Sequence, residues 1–181
     1  MNRYEPPFDP RQLRNALGRF PTGVAVITTC TPDGKHEGLT ANSFAALSLD
    51  PPLVVWSLGI HAQSLPSFRA AGRFAINVLA AGQADLSHHF ATPRADKFAG
   101  VAMLDGQGGC KVVPGALAVF ECATEQTIDA GDHVLFIGRV ARFGYGDGAP
   151  LAFNAGQYGT VLSTPRADTT ADLESIWGGL G

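Results

Sequence analysis

A short run of small polar side chains stands out in the first third of the chain. Residues 40–44 read Thr-Ala-Asn-Ser-Phe and fall inside the predicted strand Gly38–Leu49, where a buried strand normally carries Val or Ile. Their hydroxyl and amide groups could donate hydrogen bonds to a planar heterocycle or to a phosphate. They could equally satisfy their own backbone at a strand end or turn, and the residue types alone leave both interpretations open.

Two further positions could bind a ligand. Ser64 begins a predicted short helix, Ser64–Ala71, that ends at Gly72. The first turn of a helix offers free N–H groups and a favourable dipole to an anion, although Ser64 is also an ordinary N-cap residue. Gly131 and Asp132 end the predicted turn Asp129–Asp132 between two long strands, and His133 begins the second strand. Without other information this Asp-His pair is a turn with a solvated imidazole.

The sequence predicts no metal site. His88 and His89 are adjacent, so on a helix their side chains point about 100° apart and do not share an ion. The three cysteines lack the C-x-x-C spacing of zinc or redox sites: Cys30, Cys110 and Cys122. Their odd number favours reduced, buried thiols and a cytoplasmic protein. The chain also has no glycine-rich dinucleotide loop between a strand and a helix.

The elements that must position these residues are mostly strands. Two long predicted strands form a hairpin, Ala116–Thr127 and His133–Phe143. The other predicted strands are Gly23–Cys30, Gly38–Leu49, Leu53–Leu58, Phe74–Leu79 and one within Leu151–Leu162. The predicted helices fill the gaps between strands: Pro10–Phe20, Ser64–Ala71, Ala84–Phe90 and a short one at Ala171–Trp177. This order favours a mainly β barrel with short peripheral helices over a doubly wound parallel sheet.

The first predicted helix has the clearest periodicity. Its apolar residues recur at i, i+3, i+4 and i+7 and form one face: Leu13, Ala16, Leu17 and Phe20. Asp9 is suited to cap its N-terminus, and Pro10 is suited to its first position.

The composition indicates one globular domain. Its 181 residues suit a single domain, and 45% apolar residues exclude a disordered chain. Charged residues make up only 16%, against about 25% in typical proteins, which suggests that a partner covers part of the surface. The net charge of −3 gives no basic footprint for nucleic acid, and no apolar run approaches the ~20 residues of a membrane span. Residues 1–14 do not resemble a signal peptide.

Seven stretches in order resemble the flavin reductase family, the small NAD(P)H-dependent reductases of two-component monooxygenases. The first four are FPTGVAVI at 20–27, GLTANSFAALS at 38–48, PPLVVWSL at 51–58 and FAINVL at 74–79. The others are Lys97-Phe98, Gly131-Asp132-His133 with Gly138-Arg139-Val140, and Gln157-Tyr158. The resemblance covers about residues 11–162 of a single domain spanning 1–181, and leaves 163–181 as a C-terminal extension.

The resemblance implies a split β-barrel of the Greek-key, FMN-binding type. It implies a homodimer that binds FMN or FAD near the subunit interface, with NADH or NADPH as co-substrate and a separate oxygenase component that receives reduced flavin. The positions that match the family's flavin site are Thr40, Ala41, Asn42, Ser43, Phe44, Ser48, Trp56, Ser57, Leu58, Gly59, Gln63, Ser64, His89 and Phe90. The positions that match its nicotinamide site are Asp132, His133 and Tyr158, with His133 as the first candidate for direct contact.

Several of these matches carry a more specific expectation or a plainer alternative. Gln63 and Ser64 match the phosphate end of the flavin site. Phe90 could instead pack in the core with Leu86, and Tyr158 could pack against the barrel rim.

The implied reaction is hydride transfer from nicotinamide C4 to flavin N5, which is chemistry that the organic cofactors carry themselves. It needs no side-chain acid, in agreement with a chain that has no paired carboxylates. Backbone N–H groups within Ser57–Gly59 would stabilise the negative charge at the flavin N1–C2=O edge.

Three other interpretations stay open: a flavoprotein that reduces a corrinoid, iron chelate or quinone, a non-enzymatic flavin-binding protein, and a β-barrel interaction domain. The residues do not choose between FMN and FAD, or between NADH and NADPH.

Overall fold

Twelve strands and three short α-helices form the fold of residues 3–161, which a computed structural model describes. The helices are α1 (Pro10–Leu17), α2 (Leu65–Ala71) and α3 (Ala84–Ala91). The strands are β1 (Thr22–Gly23), β2 (Ala25–Cys30), β3 (His36–Ala41), β4 (Ala45–Leu49), β5 (Pro52–Gly59), β6 (Arg73–Val78), β7 (Leu104–Asp105), β8 (Lys111–Val112), β9 (Ala118–Ala130), β10 (His133–Tyr145), β11 (Leu151–Asn154) and β12 (Gln157–Thr160). The mainly β prediction is confirmed, while the predicted helix Ala171–Trp177 and the extension 163–181 lie outside the described residues.

Seven of the strands form one antiparallel sheet in the order β3-β2-β6-β9-β10-β5-β4. In a flat sheet the two edge strands would lie about 29 Å apart, at about 4.8 Å for each step between neighbours. However, β3 ends at Ala41 and β4 begins at Ala45, so the chain between the two edges spans at most about 14 Å. The sheet must therefore roll up until its edges approach each other. Within residues 3–161 no pairing joins β3 to β4, which leaves a split between them.

The polar segment 40–44 lies at this split. Thr40 and Ala41 end β3, whereas Asn42, Ser43 and Phe44 form the connection to β4. The predicted strand Gly38–Leu49, with irregular polar interruptions, is therefore two strands, β3 and β4, and the interruption lies at 42–44. The chain leaves one edge of the rolled sheet here and enters the other, and a connection between two edges needs residues outside the ladder.

The long hairpin is confirmed, and its strands extend beyond the predicted ends. β9 and β10 pair from Ala130 and His133 outward, and the turn between them contains Gly131 at φ 61°. A positive φ costs glycine little because it has no Cβ. β10 also pairs with β5, and this register sets His133 opposite Gly59. The hairpin thus brings the Asp-His turn to the end of β5.

The predicted single strand within Leu151–Leu162 is also wrong. Two strands, β11 and β12, pair with each other, and β11 pairs with β1 in a separate three-stranded sheet. Ala155 and Gly156 make the turn between them, with φ values of 48° and 84°. The sequence signal was weak here because the turn contains a single glycine and the strands are only four residues each.

Two buried apolar clusters hold the elements in place. The first lies around Trp56, whose ring stacks on Phe136 at 4.7 Å and meets the edges of Phe68 and Phe74 at 5.0 and 5.6 Å. The second lies beneath α3 and includes Phe90, which is fully buried. The first cluster fixes β5 and α2, and the second fixes α3 against β2 and β11.

Helix α1 contributes no buried residue to either cluster. Its cap is as predicted, because the Asp9 carboxylate accepts the Arg11 N–H at 2.8 Å and Pro10 begins the helix. The helix ends at Leu17 rather than at Phe20. Its predicted apolar face is exposed, with Leu17 at 67% and Phe20 at 78% of their full accessible surface.

The three cysteines are free, as predicted, with Cys110 and Cys122 buried and Cys30 half-buried. Burial raises the pKa of Cys110 to about 11 and that of Cys122 to about 12, so both stay as unreactive thiols at neutral pH. None of the helices within residues 3–161 has the length and apolar character that crossing a bilayer requires.

Candidate functional site

A cavity of about 920 Å³ opens between β3, the connection from β5 to α2, and the segment 91–98 that follows α3. Ligand sites of cofactor size typically occupy about 300–1,000 Å³. Four of the predicted flavin residues line it: Thr40, Leu58, Gln63 and Ser64. They are distant in sequence and meet here because the rolled sheet brings β3 close to the end of β5.

Two of these four have informative hydrogen bonding. The Thr40 hydroxyl donates to the Ser87 carbonyl of α3 at 2.6 Å, so Thr40 ties β3 to the helix while its oxygen remains an acceptor. Ser64 stands at the N-cap position of α2, as predicted, but its side chain makes no capping hydrogen bond. The Ser64 hydroxyl is therefore available to a ligand in the cavity.

Ser43 shapes the end of β5. Its hydroxyl accepts the Ser57 N–H at 3.0 Å and donates to the Ser57 carbonyl at 3.1 Å. The side chain thus replaces a strand partner beyond Val55, where the pairing of β4 with β5 ends. For Ser43, the interpretation that these polar side chains satisfy backbone groups at a strand end is correct.

Gly59 presents an N–H group toward the split. On the opposite side of β5, the Ile60 N–H donates to the Asp132 carbonyl at 3.0 Å. Because successive residues of an antiparallel strand direct their N–H groups to alternate sides, the Gly59 N–H faces the same side as that of Ser57. It lies past the last β4 partner of β5, beside the cavity that Leu58 lines.

Phe90 lies under the cavity rather than in it. It is fully buried, and a Cβ added at Gly38 would come within 2.8 Å of its ring. The ring also meets Phe98 at 5.3 Å, edge to face. The alternative of core packing, with Leu86 in the same cluster, describes its place in the structure. Gly38 is a glycine because β3 approaches these two rings so closely.

The other predicted flavin positions lie apart from the cavity walls. The Trp56 side chain is in the first core cluster, so only its backbone is near the split. Phe44 packs against the same cluster and meets Phe120 at 5.5 Å. The structure does not place Ala41, Asn42 or Ser48 among the cavity-lining residues.

Asp132 and His133 form a pair at the edge of the site. The Asp132 carboxylate and His133 Nδ1 are 2.7 Å apart, and half of the imidazole surface is exposed. This hydrogen bond is the main reason that the pKa of Asp132 lies below its usual value. The pair does not line the cavity. However, the Asp132 carbonyl accepts the Ile60 N–H, and His133 on β10 is paired with Gly59 on β5.

Tyr158 has a supporting position. Its hydroxyl is 2.7 Å from Ser87 Oγ, and its ring meets His88 and Phe153 edge to face, at 4.8 and 5.6 Å. It belongs to the second apolar cluster and does not line the cavity. The alternative of packing at the rim describes its contacts.

Sequence reasoning missed the charged side of the cavity. The basic residues that line it are Lys35, His36, His61, Arg94 and Lys97, together with the acidic Glu37 and Asp96. The sequence marks Lys97 only as part of a stretch that resembles the family, and it indicates no role for His61 or Arg94. The one available signal was the polar run Pro-Arg-Ala-Asp-Lys after the predicted helix Ala84–Phe90.

His89 contacts this charged segment. Its Nε2 is 2.7 Å from the Lys97 carbonyl, and the Lys97 ammonium donates to the Phe90 carbonyl at 2.7 Å. Partial burial lowers the pKa of Lys97, and the nearby Glu37 carboxylate partly offsets that effect. Within residues 3–161 no group of three or more His, Cys, Asp or Glu side chains could hold a metal ion.

Comparison with known proteins identifies the family. Residues 17–162 match the family model described as the flavin reductase like domain, and the chain therefore belongs to the flavin reductase family. It is 46% identical to the FMN reductase (NADH) SmoA of Agrobacterium fabrum over 149 residues. The aligned region covers 82% of this chain and 84% of SmoA.

Two other relatives extend the comparison. The reductase component of the flavin-dependent trigonelline monooxygenase of Acinetobacter baylyi is 43% identical over 166 residues, or 92% of this chain. The NADH:FAD oxidoreductase SgcE6 of Streptomyces globisporus, solved with NAD and FAD fragments, superposes with a TM-score of 0.83 at 36% identity, covering 92% of this chain and 100% of that one. The chain spans only about half the length of some curated relatives, 52% of the Acinetobacter protein and 53% of a Rhizobium meliloti flavin reductase.

Proposed function

We propose that this protein is an NAD(P)H-dependent flavin reductase that transfers a hydride from the nicotinamide C4 to the flavin N5 and supplies reduced FMN or FAD to a separate oxygenase component. The observation that carries the proposal is the 920 Å³ cavity beside the Gly59 N–H, in a chain of the flavin reductase family. SmoA is named as an NADH enzyme and the Acinetobacter relative as a reductase component, which supports NADH and an oxygenase partner.

The residues around the cavity suit a flavin. Leu58 supplies apolar surface for a ring, and the Thr40 oxygen can accept a hydrogen bond. The flavin supplies the hydride-accepting ring atom, and the protein supplies binding and electrostatics. The Gly59 N–H would stabilise the negative charge that develops at the pyrimidine edge. Ser43 keeps this part of β5 in place through its two bonds to Ser57.

Gln63 and Ser64 are the proposed contacts at the phosphate end. Both line the cavity, and the Ser64 hydroxyl is not used to cap α2. A hydroxyl and an amide can each donate one or more hydrogen bonds to phosphate oxygens. Asn42, which lies beside Ser43 on the connection between β3 and β4, and Ser48, which lies on β4, enter the proposal only as neighbours of Ser43.

His133 is the proposed contact for the nicotinamide cofactor. Asp132 occupies Nδ1 of the imidazole, which leaves Nε2 for a ligand. The register opposite Gly59 keeps the imidazole beside the strand that borders the flavin site. Tyr158 enters the proposal as a support for α3, through its bond to Ser87.

A homodimer and a cytoplasmic location complete the proposal. The exposed apolar face of α1, with Leu17 and Phe20, and the low charge of the chain support a covered surface. The free thiols support a reducing compartment. Sedimentation of the full chain tests the dimer.

Steady-state NADH oxidation at catalytic and at excess FMN tests the proposed activity. A reductase of diffusible flavin gives a rate that rises with FMN and saturates well above the enzyme concentration. A flavoprotein that reduces another acceptor saturates at one FMN per chain. A storage protein binds FMN without oxidising NADH.

A further inference from the structure

The segment that closes one side of the cavity is held to α3 by two reciprocal hydrogen bonds. His89 Nε2 lies 2.7 Å from the Lys97 carbonyl, and the Lys97 ammonium donates to the Phe90 carbonyl at 2.7 Å. His89 and Phe90 lie in the last turn of α3, so each end of the contact involves the C-terminus of the helix. We call this pair of bonds the His89–Lys97 clasp.

The C-terminus of α3 favours the two hydrogen bonds of the clasp. A carbonyl in the last turn of a helix has no partner within the helix, and the helix dipole favours a cation there. Two further hydrogen bonds fix the same segment: the Asp96 carboxylate accepts the Phe98 N–H at 2.8 Å and the Ala99 N–H at 3.2 Å. The segment is therefore fixed at positions 96–98, and the residues just before it, 93–95, extend along the cavity wall.

Arg94 is the cation that this arrangement leaves for a ligand. Lys35 is paired with Glu37 at 2.7 Å, and Lys97 is committed to the Phe90 carbonyl. Arg94 lines the cavity, is exposed, and has no carboxylate within ion-pair distance among residues 3–161. A guanidinium can donate two parallel hydrogen bonds to a phosphate, which suits an anionic ligand.

We propose that Arg94 binds the phosphate of the flavin, and that His89 and Lys97 are positioning residues that hold its segment over the cavity. This inference rests on the proposed function, since it requires a flavin in the cavity. It also changes the role of His89, which acts on the flavin through the 93–98 segment and not by contact with the ring. Gln63 and Ser64 line the same cavity and would share the phosphate with Arg94.

The test compares FMN with riboflavin, which has the same ring system without the phosphate. The ratio of the two dissociation constants measures the affinity that the phosphate adds. We expect Arg94→Gln to lower the advantage of FMN over riboflavin by about tenfold and to leave riboflavin affinity unchanged. The control is Arg11→Gln, which removes an exposed arginine of α1 and should leave the ratio as in the wild type.

The clasp is tested by His89→Ala and Lys97→Met. Both should lower the same ratio several-fold without changing the affinity for riboflavin. His89→Gln should restore the ratio, because its amide N–H can donate to the Lys97 carbonyl. A merely structural role would reduce the thermal stability or both affinities equally, and that result would overturn the positioning role.

The outcomes separate this inference from the proposed function. An unchanged ratio in Arg94→Gln, in a protein that still binds and reduces FMN, overturns the inference alone. A wild-type protein that binds neither FMN nor riboflavin overturns the proposed function and the inference with it.

Discussion

The Ser43 hydroxyl bonds to both backbone groups of Ser57, accepting its N–H at 3.0 Å and donating to its carbonyl at 3.1 Å. Ser43 lies on the connection between the two edges of the rolled sheet, and Ser57 lies near the end of β5. The two hydrogen bonds therefore connect the segment at the split between β3 and β4 to β5, the strand that presents the Gly59 N–H. These two hydrogen bonds explain why a small hydroxyl residue occupies position 43, which lies outside the helices and strands.

Ser43→Ala tests this tie. Losing both bonds should lower the free energy of unfolding by about 1 kcal/mol, and FMN affinity should fall several-fold because Gly59 loses its alignment. Urea denaturation and FMN titration measure the two effects. Thr127→Ala is the control, since it removes an exposed hydroxyl on β9 that makes no side-chain hydrogen bond within residues 3–161. Wild-type FMN affinity in Ser43→Ala would contradict the proposed role.

Gly38→Ala tests the close approach of β3 to the aromatic rings. The added Cβ would come within 2.8 Å of the Phe90 ring and 3.0 Å of the Phe98 ring, so one of them must move. Overpacking of this kind typically costs about 1–3 kcal/mol of stability, which chemical denaturation measures. Gly144→Ala is the control, because nothing lies within 4 Å of a Cβ built there. Equal stability of the two variants would contradict the packing at Gly38.

Glu121 gives a prediction about acid stability. Glu121 is buried, with 5% of the residue's surface exposed, and its carboxylate accepts hydrogen bonds from Arg142 and from the Gln107 N–H. The bonds to Arg142 are the main reason that its pKa lies below the usual 4.5. The stabilisation is therefore fully present above pH 4.5 and is lost as the pH falls through the lowered pKa of the folded state.

The corresponding variant is Glu121→Gln. At neutral pH it should unfold about 1–3 kcal/mol more easily than the wild type, and this difference should shrink as the pH is lowered. Glu125→Gln breaks the exposed pair with Arg139 and should change stability much less than Glu121→Gln does, because water screens an exposed ion pair. Denaturation curves at several pH values measure both. A difference for Glu121→Gln that stays constant into the acid range would refute the assignment.

His133→Ala tests the nicotinamide contact. Removing one hydrogen-bonding group should raise the KM for NADH about tenfold, while the affinity for FMN stays near normal. His88→Ala is the control, because His88 is also exposed but packs against Tyr158. Steady-state kinetics at saturating FMN gives the KM, and fluorescence titration gives the flavin affinity. An unchanged KM would remove His133 from the site.

Local signals in the sequence predicted much of the fold. Asp9 and Pro10 specify the start of α1, and the glycine at 131 marks the turn of the long hairpin. The segment 42–44 could not be read this way. Its residues lie outside the strand pairing because they connect the two edges of the rolled sheet. The meeting of these edges depends on the whole sheet and not on the local sequence. The sequence does not separate β11 from β12, because their turn contains only one glycine, Gly156.

The candidate site was predictable where it lies on strands and hidden where it depends on tertiary packing. Thr40 and Leu58 both lie on strands, as predicted, and both line the cavity. Arg94 and Lys97 lie in a segment with no regular structure, and they reach the cavity wall through tertiary packing that includes the clasp with His89. Phe90 and Tyr158 matched family positions, yet their contacts are those of packing residues.

Anaerobic mixing of the full chain with FMN and NADH tests the central claim most directly. The visible absorbance of oxidised FMN reports the redox state of the flavin. The proposed function predicts that this absorbance disappears with one NADH consumed per FMN, and that an excess of FMN over protein is reduced completely. Binding of FMN without loss of its absorbance on addition of NADH, or of NADPH, would contradict it.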